Sequence, residues 1–159
     1  MKRILPFLLL LALFVPVVSA ESTIFFVRHA EKAQSGGKDP ALSEAGVARA
    51  EMLAKILKDA AITAVYTTEF KRTQQTAVPL AKALGINLTT VPASDITALV
   101  SKLRDGKENA LVVGHGNTIP ELIKALEIAT PINIGENDYD NLFIVTLDEK
   151  PHLVRLHYP

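Results

Sequence analysis

Short runs rich in apolar residues alternate along this chain with longer stretches whose apolar residues recur every three or four positions. The runs at 23–27, 63–66, 86–89 and 110–113 have strand length, and Ala110-Leu111-Val112-Val113 carries no polar side chain. Such a run reads as a strand covered on both faces, central in a parallel sheet. The stretches between them read as helices. Ser43 stands as an N-cap, with Val47, Ala50, Ala54 and Leu57 following at helical spacing; Glu51 and Lys55 form an i,i+4 pair on the outer face. A second helix is predicted over 71–84, ended by Gly85 and kinked or restarted at Pro79. Two more are predicted over 96–103 and 118–128, with Pro120 tolerated in the first turn of the latter. The last apolar runs, 142–147 and 152–157, are joined by Asp148-Glu149-Lys150-Pro151, a link that suits an antiparallel hairpin. This alternation predicts a three-layer α/β/α fold: a mostly parallel open sheet with an antiparallel edge strand.

The first twenty residues stand apart from that pattern. Lys2 and Arg3 precede an apolar stretch, and Val18-Ser19-Ala20 offers small residues where a signal peptidase reads. Residues 1–20 are therefore expected to be a signal peptide cleaved before Glu21; the alternative is an uncleaved anchor. The apolar stretch contains two prolines and is shorter than the roughly 20 residues that span a bilayer. Without residues 1–20, 15 Lys+Arg face 17 Asp+Glu, so the mature chain is mildly acidic. That balance argues against a nucleic-acid partner. The chain has no cysteine, which excludes disulfides, thiolate nucleophiles and cysteine zinc sites. The expected location is the bacterial periplasm, with secretion as the alternative and no stable membrane association after cleavage.

Polar clusters sit directly after three of the predicted strands. Arg28-His29-Ala30-Glu31 follows the first, Thr67-Thr68-Glu69-Phe70-Lys71-Arg72 the second, and Gly114-His115-Gly116-Asn117 the fourth. In open α/β sheets, ligands bind beyond the carboxyl ends of strands, where helix N-termini also point. If the first and fourth strands are central and parallel, both histidines emerge at one rim. The hydroxyls of the second cluster, Thr68 among them, and Arg72 then stand where an anion would bind.

Together these segments resemble the histidine phosphatase superfamily, the phosphoglycerate-mutase-like fold, in its short branch-1 form. Arg28-His29-Ala30-Glu31 is similar to the family's Arg-His-Gly-Glu signature, with alanine for glycine. Leu42-Ser43-Glu44-Ala45-Gly46 resembles the start of its first helix, the segment around Arg72 its second-arginine motif, and Gly114-His115-Gly116 its second-histidine motif. The four occur in family order over nearly all of residues 21–159, which would form one histidine phosphatase domain. The resemblance implies that His29 attacks phosphorus while Arg28, Arg72 and His115 hold the phosphoryl oxygens, with no metal and no cofactor. Two guanidiniums suit that task because they never deprotonate, and their field disfavours protonation of His29.

Protonating the leaving group calls for a carboxyl within hydrogen-bond reach. Asp95 is the best match to the family's position, with a helix N-cap as its other role; Glu31 and Glu69 are fallbacks. Phytase-like relatives place an aspartate directly after the second histidine, where this chain has Gly116 and then Asn117. The resulting expectation is an exported phosphatase acting on phosphomonoesters or phosphohistidine in a small phosphorylated substrate. A mutase and a catalytically silent phosphate- or partner-binding domain are the other readings. Specificity is assigned to residues 34–40, the surroundings of Asp95 and residues 132–139. The physiological substrate and oligomeric state are left open.

Overall fold

The computed structural model describes residues 21–159, so the expected signal peptide lies outside the described residues. Six strands form one sheet in the order β3-β2-β4-β1-β5-β6. β1 (Ser22–Arg28) lies between β4 (Ala110–Gly114), its parallel neighbour, and β5 (Asn141–Leu147), its antiparallel one. β2 (Ala64–Thr67) and β3 (Leu88–Thr90) extend the parallel part beyond β4. At the other edge β6 (His152–His157) closes the expected hairpin with β5, and β5 alone runs against the rest.

Period two divides the sheet into its faces. Ile24 and Phe26 of β1 point to one side with Ala110 and Val112 of β4. They meet Leu99 and Leu103 of α3 (Ile96–Gly106) and Ile119, Leu122 and Ile123 of α4 (Thr118–Ala125). Phe25 and Val27 point to the other side with Leu111 and Val113. There they meet Leu53, Ala54 and Leu57 of α1 (Glu44–Leu57) and Ala77, Leu80 and Ala81 of α2 (Lys71–Leu84). Every residue of β4 is buried, which is why that run carries no polar side chain.

Ser43 caps α1, its hydroxyl accepting from Gly46 N at 3.2 Å, and Gly85 ends α2 at φ +68°. Several local expectations need correction. Val47 is 48% exposed; α1 buries Gly46, Ala50, Leu53, Ala54 and Leu57 instead. Glu51 and Lys55 are both exposed and make no ion pair among those of the described residues. Helix α2 runs unbroken through Pro79. Helix α4 stops at Ala125 rather than at 128, because Glu127 adopts a left-handed backbone (φ +70°) and Ile128 N donates back to Ile123 O.

Gly46 allows a close approach that positions the site. A Cβ there would collide with the Glu31 carbonyl oxygen, which also accepts from Ser43 N at 2.9 Å. Helix α1 is thereby docked onto the segment that follows His29.

Candidate active site

β1 and β4 end side by side. Arg28 pairs with Gly114 in register, and His29 N donates to Gly114 O at 2.9 Å. The two following residues therefore leave the sheet at one rim, and the rings of His29 and His115 lie 5.4 Å apart, edge to face. Arg72, in the first turn of α2, joins them from the side of β2. Arg28, His29, Arg72 and His115 all line one cavity of about 720 Å³, together with Phe70, Gly116, Asn117, Asn133, Ile134 and Glu136.

His29 is 4% exposed, and its Nδ1 lies 2.8 Å from the Ala30 carbonyl. A carbonyl only accepts, so Nδ1 carries the proton and Nε2 keeps its lone pair. The preceding peptide is also held, with Ala30 N donating to Thr76 Oγ1 of α2 at 2.9 Å. The alanine that replaces the family's glycine is fully buried against Leu42 and Ala50, so its methyl packs away from the cavity.

His115 is held through a hydroxyl chain. Its Nε2 is 3.1 Å from Thr68 Oγ1, which is 2.9 Å from Thr73 Oγ1, and Thr73 donates to Phe70 O at 2.7 Å. Among the described residues, the hydrogen bond of the His115 ring is made by Nε2. Both histidines are lowered from the ordinary 6.5 to about 4. For His29 the main cause is burial, opposed by the bond to Ala30 and reinforced by His115, Arg28 and Arg72. For His115 burial again leads, with Arg72 next and Glu69 opposing. The arginine field anticipated from sequence is present, but desolvation outweighs it.

Arg72 lies over the Phe70 ring at 4.4 Å, and Phe70 packs edge to face on His115. Helix α2 has no side-chain cap of its own; Asp39 supplies one from the 34–40 loop, its Oδ1 accepting from Lys71 N at 3.0 Å. The same carboxylate stands 3.9 Å from Arg72. Arg28 is gripped from the far side, its Nη1 donating to the carbonyls of Gly135 and Glu136, each at 2.7 Å.

Four sequence expectations take different places. Asp95 is the N-cap of α3, accepting from Ala98 N at 3.0 Å, and borders a separate apolar void of about 20 Å³. Thr68 borders that void too and bonds to the His115 ring rather than lining the cavity. Glu31 is tied to Arg49, whose Nε donates to both carboxylate oxygens at 2.9 and 3.0 Å, with Nη2 at 2.8 Å. Burial pushes this carboxyl up, but the hydrogen bonds and charge of Arg49 win and hold it below its ordinary range. Glu69 is exposed and accepts from Ala93 N at 2.8 Å. Of the residues lining the cavity, Glu136 is the one that bears a carboxylate. Among the described residues, no three His, Asp or Glu side chains are grouped as a metal site requires.

A family model for the histidine phosphatase superfamily (branch 1) matches residues 24–96, which hold β1, Arg28, His29 and Arg72. The chain is similar to that superfamily across this segment, which is just under half of its length. Its fold matches the protein histidine phosphatase SixA complexed with tungstate (TM-score 0.72, 22% identity, covering 85% of this chain and 96% of that one). It also matches the alpha-ribazole phosphatase from Shigella flexneri (TM-score 0.70, 15% identity, 86% and 96% covered). At these identities the likeness shows the fold. In sequence, this chain is 32% identical over 75 residues to "Probable phosphoglycerate mutase GpmB" of Yersinia pestis. The alignment takes in 43% of this chain, which spans about 35% of the length of that curated relative.

Proposed function

We propose that this protein is an exported phosphatase that hydrolyses phosphomonoesters or phosphohistidine through a covalent phosphohistidine on His29. The observation that carries the reading is the convergence of a buried, neutral imidazole with a free Nε2, a second imidazole and two guanidiniums on one cavity. Nε2 of His29 attacks phosphorus in line, forming the N–P bond as the bond to the leaving group breaks. Arg28, Arg72 and His115 hold the equatorial oxygens, where positioning and charge compensation supply most of the rate. Water then attacks the phosphohistidine, releasing inorganic phosphate and restoring His29. Removal of residues 1–20 before Glu21 on export is part of the same proposal, and N-terminal sequencing of the purified protein tests it.

Leaving-group chemistry narrows the substrates. Asp95 and Glu31, the carboxyls expected to donate a proton, are both engaged elsewhere. With Glu136 the carboxylate that remains on the cavity wall, this favours substrates whose leaving group departs with little help, such as a phosphorylated imidazole or an aryl phosphate. The same observation gives standing to a silent phosphate-binding domain. Assay of p-nitrophenyl phosphate in EDTA separates the two. An enzyme turns over, is blocked by vanadate and loses activity as His29→Ala, whereas a binding domain takes up phosphate without hydrolysing anything.

A further inference from the structure

Arg28 is the more elaborately held of the two arginines, and its hold comes from residues 133–139. Two carbonyls, of Gly135 and Glu136, take up Nη1. The ring of Tyr139 lies 4.4 Å from the guanidinium carbon, and its centroid is 6.1 Å from that of His29. Asp138 closes the turn that presents the carbonyls: its Oδ2 accepts from Gly135 N at 2.9 Å, and its own N donates to Gly135 O at 3.1 Å. The turn is tight, since a Cβ on Gly135 would stand 3.0 Å from that same carboxylate oxygen. Nε of Arg28 is buried without a partner, so the two N–H groups of Nη2 are the donors left for a ligand.

We propose that Asp138, through the Gly135 turn, and Tyr139, through its ring, position Arg28 for binding the phosphoryl oxygens without touching them. The inference rests on the phosphate-site reading above. An arginine side chain is long and has many rotamers, so a guanidinium plane fixed before the ligand arrives loses less freedom on binding. It also presents its remaining fork in one orientation, as oxyanion recognition requires.

The test measures vanadate inhibition and inorganic phosphate binding for the wild-type protein and for Asp138→Ala, Asp138→Asn, Tyr139→Ala, Arg28→Ala and the Arg28→Ala/Asp138→Ala double variant. Asp138→Ala and Tyr139→Ala should each weaken binding on the order of tenfold, with KM rising more than kcat falls. Asp138→Asn keeps an acceptor for Gly135 N and should recover most of the loss. The double variant should bind no more weakly than Arg28→Ala alone, because the effect passes through that side chain. Withdrawal of Arg28 should also shift the acidic limb of kcat/KM upward, leaving Arg72 as the fixed positive charge facing His29 beside the His115 imidazole. Wild-type binding with an unaffected Asp138→Ala, or with additive loss in the double variant, overturns this assignment alone. A wild-type protein that binds neither anion overturns the phosphate-site reading and this assignment with it.

Discussion

His29 and Gly114 are 85 positions apart in sequence and joined by a backbone hydrogen bond of 2.9 Å, the last link of the parallel β1–β4 pairing. Through it, two motifs from opposite ends of the chain become one site. The strand register sets the spacing of the two imidazoles, and the burial that holds the register also desolvates them.

That desolvation predicts a pH dependence. Each histidine titrates near 4 in the fold against 6.5 in the unfolded chain. As pH falls from 6.5 towards 4, the unfolded chain takes up protons that the folded site refuses, so stability present above 6.5 is lost across this window. One such histidine accounts for about 3 kcal/mol, and the pair for less than twice that because the two interact. Urea unfolding between pH 7 and 4 measures the loss. The acidic limb of kcat/KM should lie near pH 4; a limb at 6.5 would mean that His29 is solvated.

Asp95 and Glu31, held as a helix cap and as an ion-pair partner, should behave as structural groups. Asp95→Ala removes an N-cap and should cost about 1 kcal/mol. Glu31→Gln breaks a half-buried, bidentate ion pair and should cost roughly 1–2 kcal/mol, between the exposed and buried cases. Both should leave kcat for p-nitrophenyl phosphate within about threefold, far short of the 10²-fold or more that loss of a general acid brings. A hundredfold fall in kcat at unchanged stability would reinstate the residue concerned.

Gly46→Ala should be damaging out of proportion to one methyl group. The new Cβ meets the Glu31 carbonyl, and neither the capped helix nor the loop beside His29 can yield freely. The expected cost is about 1–3 kcal/mol, as for overpacking elsewhere. A larger fractional loss of kcat than the fold loss explains should accompany it. Thermal unfolding and steady-state kinetics on the same preparation check both.

Much of this was legible in the sequence because it depends on pattern. Alternation in Ile24-Phe25-Phe26-Val27 divides the two faces, the apolar 110–113 run marks a central strand, and both histidines follow at strand ends. What escaped depends on contacts without a sequence signature. The acceptors that grip Arg28 are backbone carbonyls in an irregular loop, and a carbonyl leaves no side-chain signature. Asp39 caps a helix 32 positions away, a pairing that only the folded loop creates. Thr68 sits at the anticipated strand end but turns its hydroxyl to the His115 ring, a choice of neighbour that spacing does not encode. Of residues 132–139, Asn133, Ile134 and Glu136 line the cavity, and the hold of this segment on Arg28 became visible only with the fold.

Covalent catalysis by His29 is tested most directly by quenching turnover within its first cycle and mapping the phosphate in alkaline digests, where phosphohistidine survives. The account predicts acid-labile phosphate on His29, absent from His29→Ala, which should also lose at least about 10³-fold in kcat. Hydrolysis at full rate with His29 unmodified, or a His29→Ala variant as active as the native protein, would contradict it.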